Sequence, residues 1–133
     1  MEISVEFESD LFIPFLPEDS QVNPQVYGAE LTYWLSKKLA EKGVVTTYPN
    51  NEDWGWFIEY FTDTDDEYWL CCSNIEGANN KWLCYLNPKA KKLFGRDKAK
   101  PQNAKPLLDA LKSVLSEEPR IINIVWSEEK YGP

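Results

Sequence analysis

Residues 55–86 read GWFIEYFT DTDDE YWLCCSNI EGANN KWLCYL, three apolar and aromatic runs separated by two short polar stretches. Runs of this length bounded by Asp, Asn and Gly predict strands over 55–62, 68–75 and 81–86, joined as an antiparallel meander. Centring the first turn on Asp65 opposes Phe61 to Trp69 and Tyr60 to Leu70. Centring the second between Ala78 and Asn79 opposes Ser73 to Cys84 and Cys72 to Tyr85. Opposed residues share a face, so one face is expected to carry Trp56, Ile58, Tyr60, Leu70, Cys72, Leu83 and Tyr85. The other is expected to carry Phe57, Glu59, Phe61, Trp69, Cys71, Ser73, Ile75, Trp82, Cys84 and Leu86. A slip of one residue in either hairpin would exchange these groups.

Outward from the meander, residues 2–8 alternate Ile3, Val5 and Phe7 with Glu2, Ser4, Glu6 and Glu8, the pattern of a half-buried strand. Residues 10–25 contain Pro14, Pro17 and Pro24 and read as a long irregular connection, laid down through Leu11, Phe12, Phe15 and Leu16. Tyr27, Leu31, Trp34, Leu35 and Leu39 fall at helical spacing and predict a helix over 26–42, with Gly43 placed to end it. A short strand is expected at 44–48. The second helix is expected over 104–117, with Pro106 confined to its first turn, and a last strand over 120–126. The order β-α-β-β-β-β-α-β predicts a two-layer α+β domain. It has a mainly antiparallel sheet of about six strands, with two helices on one face.

A chain of 133 residues is the size of one domain, and 43% hydrophobic content with six Trp is too apolar for a disordered chain. No stretch approaches the 18 or so uncharged apolar residues of a membrane span. The opening MEISVEFESD is acidic and alternating, unlike a signal peptide, so a cytoplasmic location is expected. The chain has no His, which removes imidazole bases, imidazole metal ligands and His-activated nucleophiles. Cys71, Cys72 and Cys84 lack C-x-x-C spacing, so reduced buried thiols are expected, with no metal and no cofactor.

The net charge of −8 is unevenly spread. Residues 1–76 hold 16 acids and 3 bases, whereas residues 77–133 hold 6 acids and 11 bases. Two poles of opposite sign follow if the halves separate in space. The segment KAKKLFGRDKAK at 89–100 is basic, with a short helical turn expected near 90–94 and Leu93 and Phe94 as its anchors. The charge of the whole chain opposes nucleic-acid binding there. Residues 63–67, DTDDE, lack the glycine and the distant glutamate of a calcium loop and read as a solvated hairpin tip.

Two helices cover one sheet face, and both faces here are rich in apolar groups. The face that mixes Phe57, Phe61, Trp69 and Trp82 with Glu59 and Ser73 is the candidate binding surface, unless the 10–25 segment folds over it. The string Glu52-Asp53-Trp54-Gly55-Trp56 is the most distinctive in the chain. A glycine between two tryptophans implies a bulge or a close backbone approach, with both indoles expected on one side. Two carboxylates beside two indoles suit a cationic or sugar-like ligand, or else end a loop while the indoles fill the core.

The run Gly28-x-x-Leu31…Leu35…Leu39…Gly43, followed by Pro49-x-x-Glu52-Asp53-Trp54-Gly55-Trp56, resembles a family of small bacterial proteins carrying an EDWGW motif. Trp82, the Leu93-Phe94 pair, the second helix and Ile124-x-Trp126 extend the likeness over residues 28–126. The resemblance implies a shared fold and no particular activity.

Three functions are expected in order. The first is a non-enzymatic acidic domain that binds a basic protein, in the manner of an immunity or antitoxin-type inhibitor. It would use Glu52, Asp53, Glu59, Trp69 and Trp82. The second is a small-ligand module with an aromatic and carboxylate pocket at Trp54, Trp56 and Glu59. The third is a hydrolase pairing two of Glu52, Asp53 and Glu59 across a cleft. A homodimer through the aromatic face is compatible with each.

Overall fold

The N-terminal alternation becomes β1 (Ser4–Glu8), which buries Val5 and Phe7 and turns Glu6 to solvent. The computed structural model describes residues 1–90 and 97–132. After β1 come α1 (Ala29–Glu41), β2 (Asn50–Glu52), β3 (Gly55–Phe61), β4 (Glu67–Asn74), β5 (Lys81–Pro88), α2 (Lys105–Glu117) and β6 (Ile122–Ser127). The strands form one antiparallel sheet in the order β2-β3-β4-β5-β1-β6, with both helices on one face. The two-layer α+β architecture is the expected one.

Each helix is held by its apolar stripe. Leu31, Leu35 and Leu39, spaced by four, are fully buried in α1, and Leu107, Leu108, Leu111, Val114 and Leu115 are buried in α2. Gly43, at φ +82°, ends α1. Its N–H bonds the Ala40 carbonyl while the Val44 N–H bonds that of Leu39, which satisfies two orphan acceptors of the last turn. The expected strand at 44–48 does not form. Residues 44–49 are irregular, and Thr47 alone bonds β3, donating its N–H to the Glu59 carbonyl at 3.0 Å. The strand forms instead at β2, where a tight turn at Asp53-Trp54 pairs Glu52 with Gly55.

The hairpin registers differ from those expected, and the turns explain why. The first turn spans residues 63–65 with Asp65 in the left-handed region at φ +64°. It opposes Glu59 to Trp69 and Phe61 to Glu67, a shift of two residues that keeps every side chain on its face. The second turn is centred on Ala78, with Glu76 and Gly77 at positive φ and the Ile75 N–H on the Lys81 carbonyl. That shift is of one residue and opposes Cys72 to Cys84 and Ser73 to Leu83. Trp82, Cys84 and Leu86 therefore join the core beneath the helices, and Leu83 and Tyr85 move to the outer face.

Trp82 becomes the centre of the core. It is fully buried, donates its indole N–H to the Ser9 carbonyl at 3.2 Å and meets Phe12 edge to face at 6.1 Å. Phe12 in turn packs on Trp34 at 5.2 Å. Residues 10–25 thus anchor on the helix side and leave the outer sheet face open. Of the four expected anchors, Phe12 is buried and Leu11 packs against the core, whereas Phe15 and Leu16 point to solvent. The expected turn at 90–94 and its anchors Leu93 and Phe94 lie outside the described residues, apart from Ala90, which bridges to Lys98.

Gly55 is the tight point between the first two hairpins. A Cβ there would lie 2.6 Å from the Cys72 carbonyl oxygen and 3.0 Å from the Ser73 Cβ, and φ is +156°. Gly43 has a positive φ but open space around it. Gly43→Ala is expected to cost about 1 kcal/mol, the left-handed penalty alone. Gly55→Ala is expected to cost about 1–3 kcal/mol more, because β4 backbone must move. Chemical denaturation of the two variants checks this, and equal losses would contradict the close approach.

Candidate functional site

Strand parity builds the outer face. Phe57 and Glu59 of β3, Glu67, Trp69, Cys71 and Ser73 of β4, and Leu83, Tyr85 and Asn87 of β5 all point away from the helices. Phe57 stacks on Trp69 with ring centroids 3.7 Å apart and planes 7° from parallel. The Lys89 ammonium lies 3.7 Å from the Trp69 ring centre. A ring stacked that closely leaves no room on its own side, so Lys89 occupies the opposite face of the indole. The Trp69 N–H donates to Glu67 Oε2 at 3.0 Å. Trp69 is thereby held on both faces and at its edge.

Trp54 arrives on this face from the β2–β3 turn, with its ring 6.4 Å from Phe57 and 6.0 Å from Tyr85. Trp56 is inside β3 and opposes Cys72, so it lies on the helix side, close to Gly28. The two indoles of the WGW string diverge to opposite faces. Expecting them on one side treated both as strand residues, but Trp54 belongs to a turn, where the period of two does not apply. The expected close backbone approach at Gly55 is present.

After β6 the chain returns across the sheet. Tyr131 meets Tyr85 at 5.5 Å and donates its hydroxyl to Glu129 at 3.2 Å, while Gly132 lies on the Tyr85 ring edge. Trp54 and Tyr131 now flank a groove of about 580 Å³, lined also by Glu52, Trp69, Ser73, Leu83, Tyr85, Asn87, Lys89 and Gly132. Glu52 and Lys89 are its lining charges among the described residues. Glu67 and Glu129 are bonded to Trp69 and Tyr131, Glu59 opposes Trp69, and Lys98, Lys100 and Lys130 line the adjoining pocket beyond Asn87 and Tyr131.

Of the residues expected to bind, Glu52, Trp54 and Trp69 come together in this groove. Glu59 lies beside Trp69 on the same face, one strand outward. Asp53 is at the exposed turn, its carbonyl accepting the Asn23 side-chain N–H at 2.9 Å. Trp56 faces the helix layer, and Trp82 is sealed in the core. The groove also uses Tyr85, Asn87, Lys89 and Tyr131, which sequence reasoning missed. Had the third strand been continued through Pro88 in the observed register, Tyr85 and Asn87 would have fallen on this face with Leu83.

Cys71 lies beneath the groove, fully buried against Phe57 and Tyr85. Burial pushes its thiol up to about 12, against smaller opposing effects of the Tyr85 hydroxyl and Lys89. Cys72 and Cys84 face each other in the core with sulfurs 3.5 Å apart, as free thiols, and burial raises Cys72 well above the usual range. The expected opposition of Cys84 to Ser73 gives way to this direct opposition to Cys72. Among the described residues no cluster of His, Cys, Asp and Glu is arranged to hold a metal. The 63–67 turn is self-bonded instead, with Asp66 accepting from Thr64 at 3.3 Å and from Asn103 at 3.2 Å.

No protein-family model matches the chain, and no curated protein or solved structure matches it. No helix among the described residues is long and apolar enough to cross a membrane.

All three thiols are buried. The native protein at pH 8 is expected to leave an aromatic disulfide reagent unreacted, and the denatured chain to titrate fully. The Cys71 shift from 9.0 to about 12 also means that stability falls as pH rises across that window. There the unfolded chain releases the proton that the folded state retains. A native thiol that reacts rapidly at pH 8 would contradict this placement.

Proposed function

We propose that the outer sheet face is a docking surface for a basic protein, and that the domain acts by binding, as an inhibitor of the immunity or antitoxin type does. The single observation behind this is an open aromatic groove on the face opposite the helices, with Glu52 in its lining and Glu59 and Glu67 on the strands that carry Phe57 and Trp69. Trp54 is 38% exposed and projects from a turn, as an anchor residue does. Glu52, Glu59 and Glu67 supply charge that steers a basic surface onto it. A cytoplasmic setting is part of the proposal and accords with three free thiols. The EDWGW string contributes Glu52 and Trp54 to the groove, so the family it resembles is proposed to share this surface.

A small ligand is the second reading, favoured by the concavity of the groove. Its volume of about 580 Å³ falls within the usual range for ligand sites. A cationic ligand would have to compete with Lys89 for the face of Trp69. The hydrolase reading is supported less, because only Glu52 of its three carboxylates lines the groove.

The test is affinity capture at low and moderate salt with wild type, Trp54→Ala and Glu52→Lys. One basic protein is expected to be held stoichiometrically by wild type and released as salt rises. It should bind Trp54→Ala about 30-fold more weakly, the loss typical of a hot-spot aromatic. Equal capture by both variants would overturn the docking surface. A saturable shift of tryptophan fluorescence by a small molecule, abolished in Trp54→Ala, would replace it with the ligand module.

A further inference from the structure

The sheet has two edges, β2 and β6, and they are unlike. β2 is three exposed polar residues preceded by Pro49, and next to it Thr47 already bonds the Glu59 backbone through both its N–H and its hydroxyl. Such an edge is short and blunted. β6 is Ile-Asn-Ile-Val-Trp-Ser, without charge or proline, and among the described residues it pairs only with β1. Val125 is 62% exposed and Ile122 54%, while Ile124 and Trp126 are half-buried against the core. A bulge at Asn123, φ +53°, leaves residues 124–127 as the regular part of the edge.

We propose that β6 pairs antiparallel with β6 of a second copy of this chain, about a twofold axis at Val125. A row of open main-chain groups takes an extended strand as its partner. Each chain has one competent edge, so head-to-tail pairing of β6 with β2 is unavailable and like pairs with like. That contact is isologous and closes at two copies. The strand carries no charge, so self-pairing opposes no like charges. Arg120 is held by Asp10 and Glu128 by the N-terminal amine, so charge does not set the direction. Antiparallel pairing about an axis normal to the sheet is the twofold arrangement that keeps the outer faces of both copies on one side. With the axis at Val125, the two Val125 side chains meet on the outer face, and Ile124 meets Trp126 of the second copy on the helix side. The groove lies on β2 to β5 and the 131–132 tail, and Val125 is not in its lining, so the dimer is tested apart from the docking proposal.

The full chain is to be examined by sedimentation velocity from about 1 to about 100 μM, the range that brackets a modest dimer constant. Wild type is expected to pass from monomer to dimer. Val125→Lys should stay monomeric and melt with wild type at about 1 μM, where both are monomers, because its side chain stands in solvent and lysine blocks edge pairing. Trp54→Ala should dimerise like wild type. A wild type that is monomeric throughout, or that grows beyond dimers, would overturn the proposal. So would dimerisation that survives Val125→Lys or is lost in Trp54→Ala.

Discussion

Cys72 lies directly opposite Cys84 in the β4–β5 ladder, and the identity of both sheet faces follows from that pairing. With side chains alternating along each strand, the register decides whether β5 offers Trp82, Cys84 and Leu86 or Leu83, Tyr85 and Asn87 to the helices. The helices receive the first set. Trp82 then fills the space between Phe12 and the sheet, and Leu86 and Cys84 complete the layer under the leucines of α1 and α2. Trp82 is the largest of the fully buried side chains, and a slip of one residue would turn it to the outer face. The open groove is what the same register leaves on the other side.

The fold class was legible because hydrophobic periodicity survives errors of boundary. Leu31, Leu35 and Leu39 at a spacing of four, and Val5 and Phe7 at a spacing of two, report local geometry that packing did not need to override. Register was less legible. It depends on turn conformation, and the 76–80 turn places Glu76 in the left-handed region, which a glutamate seldom announces. The strand expected at 44–48 failed for a related reason. Val44 closes the α1 cap, and the chain first reaches a regular ladder at Asn50, where the Asp53-Trp54 turn fixes the partner.

The groove was legible in part. Glu52, Trp54 and Trp69 were expected there from composition and position, and they meet. Tyr85 was assigned the wrong face by the one-residue error, and Tyr131 comes from a tail whose course no local pattern encodes. Lys89 read as the start of a basic loop, yet it caps the Phe57–Trp69 stack. That arrangement holds the groove floor in one geometry, which would lower the ordering cost of the docking proposed for it. Trp54, by contrast, is 38% exposed and stands on the β2–β3 turn.

The register can be tested residue by residue with 5-fluorotryptophan and fluorine NMR, adding a soluble paramagnetic agent. The account predicts that the Trp54 resonance broadens first, that Trp69 broadens partly and that Trp82 is spared until the protein unfolds. Strong broadening of Trp82 together with protection of Trp54 would place the opposite face of β5 in solvent, and would contradict both the core and the groove described for this fold.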